Sequence, residues 1–79
     1  MNKTKRIVNV LVHDRPNVLV KLISFFEKRG FRVENINLIK TDKPGISKYN
    51  MIISGEDNNI GKSSKQLYKF VETIDVNLL

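Results

Sequence analysis

Cysteine is absent from the 79 residues. That excludes disulfide frameworks, thiol nucleophiles and cysteine-based metal sites. Histidine occurs once, as His13, and one imidazole with scattered carboxylates does not make a metal centre. No serine or carboxylate pair at a recognisable spacing completes a nucleophilic triad or a glycosidase dyad around it. Gly61-Lys62-Ser63 lacks the upstream glycine that a phosphate-binding P-loop requires. No catalytic and no metal-ligating residue is therefore assigned. Runs of about eighteen apolar residues are also missing, and no signal-peptide core follows the basic N-terminus, so a cytoplasmic protein with no membrane partner is expected.

Acidic residues are scarce, eight against fourteen Lys and Arg, for a net charge of +6. Such an excess suits nucleic acid or an acidic partner. It also suits a plain solvated surface, because the lysines are spread over several segments (Lys3 and Lys5, Lys40 to Lys48, Lys62 to Lys69). With 41% apolar residues and no low-complexity tract the chain has the composition of one small globular domain. A domain this small buries a modest share of its apolar surface and often gains stability by oligomerising.

Hydrophobic periodicity supplies the order of elements. Ile7 to Val12 reads as a β-branched strand with Val8, Val10 and Val12 on one face and Asn9 and His13 on the other. A polar turn, His13 to Asn17, leads into a helix whose apolar positions are Val18, Leu19, Leu22, Ile23 and Phe26. Pro16 suits its first turn and Gly30 its left-handed end, after Lys28 and Arg29. Arg32 to Lys40 is a second strand expected to turn Ile36 and Leu38 inward, and Pro44-Gly45 suits a type II turn. Tyr49 to Ile53 makes a third strand, ended by Ser54-Gly55. Glu56 to Asn59 opens a second helix with Ile60, Leu67, Phe70, Val71 and Ile74 as its apolar stripe, and Asp75 to Leu79 is a last strand. Strand, helix, strand, strand, helix, strand with right-handed crossovers is a ferredoxin-like βαββαβ sandwich of the α+β class. Four antiparallel strands then carry two helices on one face.

The turn from His13 to Asn17 is the candidate binding feature. The first amides of a helix lack intrahelical acceptors and favour a carboxylate or phosphate. The competing class, an RNA reader on the same fold, needs exposed aromatics on the strands. Tyr49 is the only strand aromatic apart from Phe31 at the helix-to-strand junction, so nucleic acid is not the expected partner.

Taken as a set, several segments resemble the ACT domain of the small regulatory subunit of acetolactate synthase (acetohydroxyacid synthase). They are Val10-Leu11-Val12, Pro16 with Leu19, Phe26 to Phe31, Val33 to Ile36, Ser47, Ser54 to Asp57 and Lys65 to Val71. The resemblance runs from Arg6 to Leu79 and implies one ACT domain over residues 1–79, with its core at about 6–79. It is similar to the short, single-domain form. The family implies a non-catalytic subunit that activates a large catalytic subunit in branched-chain amino-acid synthesis, with valine or a related amino acid as effector. No cofactor is implied on this chain; thiamine diphosphate, a divalent metal and usually FAD belong to the large subunit. The family's side-by-side homodimer implies an effector site where the turn of one protomer meets the second strand of the other. The implied effector residues are Asp14, Arg15, Pro16, Asn17, Val18, Leu19, Arg32 and Val33. Glu34, Asn35, Ile36, Asn37 and Leu38 are the implied dimer seam. In the family, Asn usually stands at the position of Asp14, Gly at that of Asn17 and often Asn at that of Arg32. An altered effector site and an ACT subunit without effector binding are both compatible with these departures.

Overall fold

The computed structural model describes residues 3–79. The strands are β1 (Lys3–His13), β2 (Arg32–Lys40), β3 (Ile46–Glu56) and β4 (Thr73–Leu78). The helices are α1 (Val18–Lys28) and α2 (Asp57–Gln66), the latter continued by a 3-10 turn, Leu67–Lys69. All strand pairs are antiparallel, in the order β2-β3-β1-β4. This is the ferredoxin-like arrangement that the order of elements implied.

The core follows from strand alternation. Val8, Val10 and Val12 of β1 and Tyr49, Met51 and Ile53 of β3 point to the helix side. There they meet Val18, Leu22, Phe25 and Phe26 of α1, together with Phe31, Ile60 and Leu67. The other face is more polar. Asn37, Asn50, Asn9 and Asn77 stand in one register row across all four strands.

One local motif locks α1 to the sheet. The Gly30 amide donates to the Glu27 carbonyl and the Phe31 amide to the Phe26 carbonyl, at 3.1 and 3.0 Å. With Gly30 at φ +85° this is a Schellman motif. Its customary hydrophobic contact is present as the edge-on Phe26–Phe31 pair, ring centroids 5.9 Å apart. Phe31 also covers the backbone of Gly55: a Cβ there would fall against Phe31 Cδ1 and 2.6 Å from Cε1. The Arg-Gly-Phe and Ser-Gly segments, distant in sequence, are two halves of one contact.

Three sequence expectations need correction. Ser54-Gly55 does not end β3, because β1 is long enough to keep pairing with it through Glu56. A register shift between Val33 and Asn35 places one extra residue in β2, so Val33 and Ile36 both pack against the core. Leu38 stays 49% exposed, because β2 is an outer strand with a neighbour on one side only. The second helix is also shorter than its apolar stripe suggested. It ends near Gln66, the chain reverses at Phe70 to Glu72, and β4 begins at Thr73. Phe70 packs edge-on against Phe25 at 5.6 Å, whereas Val71 is 75% exposed and Ile74 lies on β4 rather than on a helix. The His13 amide donates to the Glu72 carbonyl at 2.8 Å. A pairing partner across the fold outcompetes the continued helical pattern.

Candidate functional site

The turn after β1 is held by long-range backbone hydrogen bonds. Besides the His13 bond, the Asp14 amide donates to the Gly45 carbonyl at 2.8 Å, joining this turn to the β2–β3 turn. Asn17 takes φ 70°, the left-handed region, which explains why glycine suits this position and why asparagine is a tolerated replacement. As the residue capping α1, Asn17 makes no side-chain cap hydrogen bond, and the first turn contains no acidic residue. The Val18 amide turns back to the Arg15 carbonyl at 3.4 Å and the Lys21 amide donates to the Asn17 carbonyl at 3.0 Å, so among the described residues the helix-start donors left without a backbone acceptor are the amides of Leu19 and Val20.

The side chains at this end differ in what they offer. Asp14, Arg15, Pro16, Asn17 and Leu19 are exposed, whereas Val18 is a core residue whose side chain belongs with Leu22 and Phe26. Tyr49 stands nearby on β3, and burial together with the Asp14 charge raises its phenol above the usual value of 10.0. Reading the sequence did not assign Tyr49 to this end. The signal was its in-register position opposite Val10, visible only once the strands are paired.

Arg32 and Val33 do not join the turn within one protomer. Arg32 sits opposite Ser54, while the turn adjoins Ile46 at the other end of β3. Eight residues of strand separate them, about 26 Å at a rise of about 3.3 Å per residue. Arg32 Nε lies 4.0 Å from Glu34 Oε2, and Ser54 Oγ donates to the same oxygen at 2.9 Å.

The two sheet edges are unequal. On β4 the Val76 amide, which points away from β1, donates to the Tyr68 hydroxyl at 3.0 Å, and that hydroxyl donates to Asp75 Oδ1 at 2.9 Å. Tyr68 thus occupies the β4 edge. β2, with Glu34 to Leu38, is the other edge, and among the described residues no side chain donates to or accepts from its backbone except Glu27, whose carboxylate is 3.5 Å from the Val33 amide.

Residues 8–75 match the AHAS small subunit-like ACT domain, AHAS being acetohydroxyacid synthase. The chain belongs to this family. Among similar proteins is the probable acetolactate synthase small subunit of Methanothermobacter thermautotrophicus, 34% identical over 76 residues, covering 96% of this chain and 45% of that protein. The acetolactate synthase small subunit of Mycolicibacterium smegmatis is 32% identical over 69 residues, 87% of this chain and 41% of that one. The crystal structure of the small subunit from Thermotoga maritima superposes with a TM-score of 0.82 at 33% identity, covering 95% of this chain and 47% of that chain. The ACT domain of Chlorobium tepidum GTP pyrophosphokinase superposes at 0.80 with 16% identity, a likeness of fold alone. This ACT domain spans about half the length of the relatives it matches.

Proposed function

We propose that this ACT domain serves as a regulatory partner of an acetolactate synthase catalytic subunit, and that it carries no reaction of its own. The observation behind this reading is the family match over residues 8–75, joined to relatives named as acetolactate synthase small subunits. In this reading thiamine diphosphate, divalent metal and FAD reside on the catalytic subunit. Among the described residues no group of three or more His, Cys, Asp and Glu could hold a metal ion. The test is turnover of the catalytic subunit with and without this chain; an unchanged rate would defeat the proposal.

The finer part of the proposal concerns the effector. Two protomers joined antiparallel through β2 would carry the partner's strand start to the turn, because a two-fold axis exchanges the two ends of the strand. The unequal edges favour β2 for that seam, since Tyr68 already fills an outward hydrogen bond of β4. The site so completed would offer helix-start amides to the carboxylate of a branched-chain amino acid and Asp14 to its ammonium group. Arg32 would compete for that carboxylate or pair with Asp14 and close the site. Calorimetry with valine, leucine and isoleucine decides between these: heat at millimolar ligand supports effector binding. Its absence leaves the regulatory partner without an effector, the second reading that Asp14 and Arg32 favour.

Nucleic-acid binding loses its structural basis. Tyr49 and Phe31 are both buried on the helix side, so neither strand aromatic is available for stacking a base.

A further inference from the structure

The turn and the β2 edge leave the helix face, and most of the positive charge, without a role. A groove of about 450 Å³ runs along that face between α1 and the 3-10 turn. Phe25, Phe70 and Val20 supply its apolar surface, and Lys28, Arg29 and Lys69 are among its cations. Val20 is 61% exposed although it lies within α1. Among the described residues no acidic side chain lines the groove. Lys21, also on its wall, is engaged by Glu72 Oε2 at 2.7 Å. Among the described residues Lys28, Arg29 and Lys69 have no carboxylate within 4.0 Å.

Arg29 is held in place rather than free to swing. Its guanidinium carbon lies 3.8 Å from the Phe25 ring centroid. Nη1 donates to the Phe25 carbonyl at 3.0 Å and Nε to Gln66 Oε1 at 3.3 Å. Three of its five N–H groups remain for an acceptor, and their direction is set in advance.

We propose that this groove receives an acidic segment of the catalytic subunit, with one apolar side chain of that segment seated between Phe25, Phe70 and Val20. The occupant rests on the regulatory-partner reading above; its chemistry rests on the groove. Unpaired cations around an apolar floor are complementary to carboxylates flanking an apolar anchor. A second copy of this chain is a poor occupant, because it brings the same net charge of +6. The groove lies on the helix face, so it stays open when β2 is paired.

The experiment measures binding of this chain to the purified catalytic subunit of the same organism by fluorescence anisotropy at two salt concentrations. Three variants are compared: Lys28→Glu with Lys69→Glu, Val20→Asn, and a control, Lys5→Glu with Lys48→Glu, on the opposite face with the same change of charge as the first. The expected result is at least tenfold weaker binding for the two groove variants, less than threefold for the control, and a steep salt dependence that Lys28→Glu with Lys69→Glu loses and the Val20 variant keeps. Circular dichroism and melting temperature verify that each variant folds. Equal weakening by groove and control variants would overturn the proposal in favour of general charge attraction. Undiminished binding of the groove variants overturns it while leaving the partner reading intact. Failure of the parent chain to bind removes the partner reading and this occupant with it.

Discussion

Replacing Gly55 by alanine isolates the contact that joins the two most specific parts of the sequence. The new methyl carbon would stand 2.6 Å from Phe31 Cε1 and against Cδ1. Carbon atoms prefer about 3.5–4.0 Å, so the ring must retreat by about 1 Å or more. It has little room: Phe31 is buried, and Phe26 meets it edge-on from the helix side. Overpacking of this kind costs about 1–3 kcal/mol, and the confinement of the ring places Gly55→Ala in the upper half of that range. For a domain of this size each kcal/mol lowers Tm by about 4–8 °C, so a fall of about 10–20 °C is expected. Gly61→Ala is the matched control. Gly61 lies inside α2, and a methyl group added there would meet nothing within 4 Å; removing a helical glycine stabilises by about 0.5–1 kcal/mol. Urea titration of both variants and of the pair Gly55→Ala with Phe31→Leu tests the reasoning. The smaller ring-free side chain should recover part of the loss caused by the methyl group. Equal stability of Gly55→Ala and the parent, or no coupling with Phe31→Leu, would refute the account.

The remaining predictions concern the turn, the ion pair and the edge. Asn17→Ala should destabilise by about 1 kcal/mol and Asn17→Gly by much less, because a left-handed backbone costs a residue with Cβ about 1–2 kcal/mol and spares glycine; chemical denaturation reads the difference. The Lys21 hydrogen bond, followed by Glu72's own backbone amide, holds the Glu72 carboxyl below the ordinary 4.5. A depressed folded value means stability that is present above the unfolded value and lost as pH falls through the folded one. Lys21→Met should therefore melt below the parent at neutral pH, with the two curves converging in acid; a gap independent of pH would contradict the pairing. On the β2 seam proposed above, Leu38→Lys places a charge on the half-exposed edge and should give a monomer in sedimentation, whereas Tyr68→Phe should leave the association of the parent unchanged. Dimers that survive Leu38→Lys would move the seam elsewhere.

Much of the fold was legible because local chemistry and global packing agree. The valine alternation of β1, the apolar face of α1, Gly30 after a basic helix end and the Pro44-Gly45 turn each state a local preference that the tertiary contacts reinforce. The candidate turn was legible for the same reason: polar residues with Pro16 between an apolar strand and an amphipathic helix permit little else. Where the reading failed, two signals competed. In β2 strict alternation favoured Leu38 and left Val33 outside, and a single bulge reversed Val33. At the end of α2 the helical stripe ran on to Ile74, but the chain turns at Phe70 to Glu72 and strand pairing with β1 begins at Thr73.

The sequence by itself determined the order and type of the elements, the family, and where the turn between β1 and α1 falls. These depend on residue chemistry within one or two turns of chain. Only the tertiary structure decided that Arg32 and the turn lie at opposite ends of a protomer, that Tyr68 occupies one edge, and that Phe31 requires Gly55. It also gathered Lys28, Arg29 and Lys69 around an apolar groove. Each of these is a meeting of residues far apart in the chain, set by strand register and helix crossover, for which no local pattern exists to be read.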